Sequence, residues 1–323
     1  MRALICSRLD GIDALSMGEL PEPELVEGCA LVEIEAAGVN FPDLLVIQGL
    51  YQDQPEIPFA PGMEVSGTVA EVAGGVEWPE PGDRVFGFIR HGGYAERTVT
   101  GVDVLYPLPD GMGFDVGAAL PITYGTGYHA LVDRARIQPG ESLLVLGAAG
   151  GVGMAAVQLG ATLGAEVIAA VSSTEKEEAV KASGATTVIR YDQVPVRDAL
   201  KDLAPRGVDV VFDPVGGDIT EQAFRSLAWR GRHLVIGFAA GTIPSLPVNL
   251  ALLKGASLVG VFWGRFAATE PDRNRDNFRT LTDWVMEGRI DPVVSETFPL
   301  ERATEALKRI GSRGAIGKLV VNP

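Results

Sequence analysis

Residues 143–153, LLVLGAAGGVG, constrain the fold more than any other stretch of the chain. Four apolar residues pass, through small residues only, into Val152, Ala155, Ala156, Leu159 and Leu163, which fall on one face of a helix. The pattern is strand, tight turn, helix. The turn, Ala148-Ala149-Gly150-Gly151-Val152-Gly153, has the spacing A-x-G-x-x-G, a dinucleotide-binding fingerprint with alanine in place of its first glycine. In this reading Ala148 keeps the turn tight, Gly150 lets the backbone approach a pyrophosphate, and Gly153 lets helix and strand pack closely. The helix start then offers free N–H groups and the positive end of its dipole to phosphates.

Residues 143–165 carry no charge, so hydropathy alone would also allow a membrane span. Six glycines and the strand-to-turn break argue against one. Beyond residue 165 strand and helix alternate: strands are predicted at 167–171, 187–191, 208–213 and 233–238, and helices at 175–183, 197–204 and 218–228. That alternation marks a doubly wound parallel sheet of α/β type. Residues 1 to about 120 read differently, as short strands (31–39, 65–72, 84–89) separated by turn signals such as Pro81-Gly82-Asp83. They suggest a partly closed β-barrel or sandwich. Near the end, 257–263 reads as one more strand, 272–287 and 300–310 as helices, and 318–321 as a closing strand.

The length of 323 residues favours two domains, and a 46% hydrophobic content gives both a core. A net charge of −15 with no basic run excludes nucleic acid and anionic membranes as natural partners. An acidic protein that binds a polyanionic cofactor must therefore build positive potential locally. The two cysteines, Cys6 and Cys29, read as reduced structural thiols, and no signal-peptide core is present, so a cytoplasmic protein is expected.

The order GVNFPDLLVIQGLY, then PGMEVSGTVAEVAGGVEWPEPGDRV, then AAGGVG and the closing GKLVV, resembles the medium-chain dehydrogenase/reductase superfamily, and within it the zinc-free NADPH:quinone oxidoreductase branch. The resemblance implies a GroES-like β-barrel catalytic domain built from both chain ends, 1–121 and 255–323, interrupted by a Rossmann NADPH-binding domain at 122–254. It also implies a homodimer, formed by edge pairing of the strand 257–263.

Zinc-dependent relatives hold their metal at positions that here carry Asn40 and Met63, neither a usual zinc ligand, so metal-independent chemistry is expected. His91, His129 and His233 are scattered and read as surface or packing residues. The residue that selects between nicotinamide cofactors sits at the end of the second Rossmann strand. Here the chain reads Val171-Ser172-Ser173-Thr174-Glu175-Lys176, without an acid ending the strand, which favours a ribose 2′-phosphate and hence NADPH. The resemblance places Lys176 and Tyr191 on that phosphate; the lesser alternative for Lys176 is the solvated face of the helix 175–183, beside Glu175. Resemblance also assigns Thr126 to the nicotinamide carboxamide, and Gly237, Phe238, Val261, Phe262 and Trp263 to the nicotinamide ribose and ring. Phe262 and Trp263 could instead serve core packing or a subunit contact. Ala149, Gly150, Gly151 and Val152 complete the cofactor set.

Without a metal, hydride transfer must go to an acceptor that needs little Lewis-acid help. Quinones and electron-poor alkenes both qualify. Asn40 and Tyr51 are the candidate catalytic residues, Asn40 through its amide and Tyr51 as proton donor or stacking surface, with Tyr124 a further candidate wall. Some quinone reductases have tyrosine where Val46 stands, which weakens the quinone assignment. The alternatives are an NADPH-dependent reductase of an enone or enoyl-CoA thioester, because QGLY ending at Tyr51 also resembles the tyrosine motif of enoyl reductases, and a non-catalytic NADPH-binding structural protein.

Overall fold

The computed structural model describes all 323 residues, which divide into two compact units, Met1–Ile122 with Pro292–Pro323, and Thr123–Asp291. The N-terminal stretch holds β1 (Arg2–Cys6), β2 (Leu15–Glu19), β3 (Cys29–Val39), α1 (Phe41–Val46), β4 (Glu64–Val72), β5 (Arg84–Phe88), β6 (Arg97–Gly101), β7 (Leu105–Pro107) and α2 (Phe114–Ala119). The middle holds α3 (Gly125–Tyr128), β8 (Ser142–Val145), α4 (Gly151–Thr162), β9 (Glu166–Val171), α5 (Thr174–Ala182), β10 (Thr187–Arg190) and α6 (Val196–Leu203). It continues through β11 (Val208–Asp213), α7 (Asp218–Arg225), β12 (Leu227–Val235), α8 (Asn249–Lys254), β13 (Ser257–Gly260), α9 (Trp263–Thr269) and α10 (Pro271–Met286). β14 (Val294–Pro299), α11 (Ala303–Gly311) and β15 (Lys318–Asn322) close the chain.

In the first unit the sheet runs β14-β15-β3-β4-β5-β7, with β6 also on β3, and a separate hairpin pairs β1 with β2. β3 is its hub because its sequence changes character along its length. Ala30, Val32 and Ile34 alternate inward against the outward Glu33 and Glu35, and the run 36–39 is then buried throughout. β15 lies antiparallel on that buried half, Val320 opposite Gly38, so the last strand of the chain completes a sheet begun near its start. The Pro42-bearing α1 starts directly after β3, where the Asn40 N–H donates to Asp43 Oδ2 at 2.8 Å as one arm of a capping box.

The second unit is a six-stranded parallel sheet in the order β10-β9-β8-β11-β12-β13. Strand order reverses between β8 and β11, and ligands of such sheets bind outside the strand ends at that switch point. No helix is long and apolar enough to cross a membrane; the uncharged run 143–165 is split between β8, the turn and α4.

Several boundaries depart from the sequence reading. Residues 255–291 were expected with the first unit but lie in the second, because β13 adds parallel to β12 and Trp263 donates from Nε1 to Asn274 of α10 at 3.0 Å. The predicted strand 257–263 ends at Gly260, since the chain turns at Phe262 to begin α9. β12 covers 227–235 rather than 233–238, and the predicted helix 218–228 stops at Arg225. A register shift opposite Val208 and the left-handed Arg230 (φ 64°) let Leu227 join the strand ahead of its regular part.

Candidate functional site

The turn after β8 is stitched to both neighbouring strands: the Leu146 N–H donates to Phe212 O and the Ala148 N–H to Ala170 O. The tight bend falls on Gly147 (φ 58°), one residue before the alanine to which the fingerprint assigned it, because only a left-handed residue can reverse the chain there. The Gly147 carbonyl then accepts the Gly150 N–H at 3.0 Å, and Gly150 caps α4. A Cβ on Gly153 would lie 2.8 Å from Ala148 Cα and collide with Gly147 O, so Gly153 is the close-packing residue. The first N–H groups of α4, from Gly151 and Val152, have no intrahelical acceptor. Ala149 is buried beneath them.

Beyond β9, Ser173 caps α5 by accepting the Lys176 N–H at 3.3 Å. Lys176 Nζ reaches Ser172 Oγ at 3.5 Å, so helix capping itself folds the lysine back over the strand end. Tyr191 stands partly exposed at the end of β10, its N–H bonded to Val171 O. Sequence reading missed Arg190 beside it. The guanidinium donates to Thr174 Oγ1 at 2.8 Å and grips Asp192 with two bonds. Its signal was a lone cation ending an apolar strand next to the expected Tyr191. No carboxylate ends β9, and the arrangement suits a phosphate-bearing ligand.

Thr126 is buried on α3, where a Cβ on neighbouring Gly125 would sit 2.8 Å from the Trp263 ring. Trp263 is itself buried and meets Phe278 edge to face at 6.1 Å, so its indole serves the packing of α9 and α10. Phe262 is the exposed member of that pair, and Val261 is buried. Gly237 and Phe238 follow β12, and Phe238 packs against Gly216. That turn is shaped by Asp213, which accepts the Val215 and Gly216 N–H groups, Thr220 Oγ1 and the buried His233. Tyr124 gives no free wall: its hydroxyl donates to Gln158 at 2.7 Å, and burial holds its pKa far above the ordinary phenol value.

In the first unit Tyr51 follows α1, half-buried against the apolar cluster of Leu44, Val46, Ile47 and Met63. Its hydroxyl makes no hydrogen bond within the chain. Burial first, then Asp43 and Asp53, raise its pKa above the ordinary phenol value, so it holds its proton. Asn40 corrects the sequence reading. Its Nδ2 donates to Glu64 Oε1 at 2.7 Å, and its Oδ1 accepts from Lys318 Nζ at 2.5 Å, so both ends of the amide are committed inside the protein. Lys318 also bonds Glu64, whose other oxygen accepts the Ile122 N–H at 2.8 Å. Glu64 and Lys318 are both buried. Deeper still, Asp43 Oδ2 accepts from Tyr94 Oη at 2.7 Å. The signal for these residues was a charge set inside an apolar run, in GMEVSG and again in GKLVV.

Two protein families match the chain: an alcohol dehydrogenase GroES-like domain over residues 26–117 and a zinc-binding dehydrogenase over residues 151–286. Quinone oxidoreductase-like protein 2 of Bos taurus is 40% identical over 293 residues, covering 90% of this chain and 84% of its own. A probable oxidoreductase from Mycobacterium abscessus superposes with a TM-score of 0.90 at 37% identity, over 100% of this chain and 99% of that one. The Escherichia coli quinone oxidoreductase, solved in complex with NADPH, superposes with a TM-score of 0.93 at 27% identity over the whole of both chains.

A zinc ion, which the second family's description implies, does not fit the residues present. Met63 lies in an apolar cluster, the Asn40 amide is fully engaged, and the Lys318 ammonium supplies the positive charge that Glu64 faces. No three His, Cys, Asp or Glu side chains come together in a way that could hold a metal.

Proposed function

We propose that this chain, which belongs to the medium-chain dehydrogenase/reductase superfamily in its quinone-oxidoreductase branch, is an NADPH-dependent oxidoreductase acting on a quinone or a similarly electron-poor small molecule. The observation that carries the cofactor is the end of β9: two serines and Lys176 where an acid would select NADH, with the Arg190 guanidinium on the same helix start. The NADPH held by the Escherichia coli relative agrees with this reading. Gly150, Gly151 and Val152 would face the pyrophosphate, Ser172, Ser173, Lys176 and Tyr191 the 2′-phosphate, and Thr126, Gly237, Phe238, Val261 and Phe262 the nicotinamide end. Trp263 supports the last group from inside. Bound NADPH supplies a hydride, and one added proton balances the two-electron reduction of the acceptor. Within the protein, Asn40 holds the α1 start in place, and Tyr51 presents a phenol with a free hydroxyl.

That free hydroxyl favours a second reading, reduction of an enone or enoyl thioester, in which the α-carbon must receive a proton. Turnover of NADPH against a panel of quinones and enones decides between the two, and NADPH binding without turnover of any of them would leave a structural role. Lys176→Ala tests the cofactor assignment. A hydrogen bond to a charged group is worth about 1.5–3 kcal/mol, so the dissociation constant for NADPH should rise roughly 10- to 150-fold with that for NADH nearly constant. Equal affinities of the unmodified protein for both cofactors would sink the assignment.

The quaternary reading is a homodimer joined through β13. This strand ends the six-stranded sheet, Leu258 on it is 53% exposed, and Trp229, Val248, Leu252 and Leu253 are exposed as well. Light scattering at micromolar concentration should give twice the chain mass, and Leu258→Pro, which removes an N–H from the free edge of that strand because the alternation puts the Val261 N–H on β12, should weaken the assembly. A monomer mass for the unmodified protein refutes it.

A further inference from the structure

Asp43 is completely buried, yet only one of its carboxyl oxygens is served. Oδ2 accepts from Tyr94 Oη and from the Asn40 N–H, whereas Oδ1 has no partner at all. Its chain neighbours Leu44, Val46 and Ile47 all belong to the apolar core of this unit. An ionised carboxylate offers acceptor sites on both oxygens, and leaving one of them buried and bare costs the full desolvation of a charged group. The cation nearest at hand is already spent, because Lys318 on β15 is bonded to Glu64 on β4 and to Asn40. An ionised Asp43 would thus add a second, uncompensated negative charge beside Glu64. The same charge would bear on Tyr51, which also faces Asp53 on its own loop.

We propose that Asp43 is held as an uncharged carboxylic acid and that its ionisation controls how readily the Tyr51 phenol gives up its proton, which makes Asp43 a positioning residue for double-bond reduction. The inference rests on the proposed reductase activity. Proton transfer from Tyr51 to the α-carbon leaves a phenolate, which is reprotonated from solvent. A neutral Asp43 tolerates that passing negative charge, and an ionised one opposes it. The groups facing Asp43 act in both directions: Tyr94, Asn40 and Lys318 favour its charge, and burial and Glu64 oppose it. Burial wins, pushing its pKa up to about 7.

Two measurements on unmodified protein and Asp43→Asn, which keeps the shape of the neutral acid, test this. The first needs neither cofactor nor substrate. A carboxyl whose pKa is raised on folding contributes stability that is present below about pH 4 and lost as pH rises through about 7. Thermal melts of the ligand-free chain should therefore show Asp43→Asn gaining on the unmodified protein between pH 4 and 8; parallel curves overturn the neutral acid. The second is kcat for an enone from pH 6 to 8.5. The unmodified protein should lose about 3- to 10-fold across this range, the effect of up to one pKa unit on the donor, and Asp43→Asn should lose little. Tyr51→Phe should remove the limb altogether. A limb that persists in Asp43→Asn overturns the coupling. If no acceptor is turned over by the unmodified protein, the functional reading fails and takes the coupling with it, a result that the melts separate from a misjudged ionisation.

Discussion

Lys318→Met should lower the melting temperature of the unit that contains β15 by roughly 5–20 °C, because removing one partner of a buried ion pair costs about 3–5 kcal/mol. Methionine fills much of the lysine volume, so lost packing is a small part of the effect. What remains is the Glu64 carboxylate, fully buried, keeping only the Asn40 amide and the Ile122 N–H as donors. A double variant, Lys318→Met with Glu64→Gln, removes the orphaned charge: the new amide oxygen accepts from the Ile122 N–H, and its NH2 donates to the Asn40 Oδ1 that Lys318 has vacated, once the Asn40 amide turns over. It should recover most of the loss, since buried pairs replaced as pairs are close to neutral. If the double variant is as unstable as the single one, the two side chains are not coupled and the lysine acts by packing alone.

How much of this was legible in the sequence depends on the distance over which each feature is encoded. The parallel sheet is written locally: strand, turn and helix of 143–163 occupy one window, and Ser172 and Lys176 are four residues apart, so a single helix cap brings them to 3.5 Å. The bend at Gly147 was missed by one residue because the fingerprint fixes spacing and leaves open which small residue turns left-handed. Asn40 was misread for the opposite reason. Its partners, Glu64 and Lys318, lie 24 and 278 residues away, and no periodicity announces that a lysine in a C-terminal strand will close on an asparagine near the start. Nothing in the local sequence marks Asp43 as buried: it stands in the first turn of α1, and the Tyr94 hydroxyl that bonds it comes from 51 residues away. Residues 255–291 were misassigned because β13 is four residues long, too short for its pattern to say which sheet it joins.

Tyr51→Phe should reduce turnover of an enone or enoyl thioester by roughly 10²- to 10⁴-fold, the range lost with a general acid, and leave quinone turnover nearly intact. Hydride delivered to the β-carbon of an activated alkene creates an enolate whose α-carbon must be protonated from a fixed direction, and a positioned phenol answers that need. Two features suit Tyr51 to the task. Its hydroxyl is free of partners within the chain, and burial, with the Asp53 charge beside it, keeps the phenol protonated through the neutral range. A quinone makes a smaller demand, because its reduced form is a stabilised hydroquinone anion that takes its proton from water. Phenylalanine keeps the ring and its packing on the apolar core of this unit, so a shared loss on both substrate classes would mean a damaged wall rather than a missing proton. Unaltered rates on both would end the proton-donor role and leave Tyr51 as a surface against which a flat acceptor stacks.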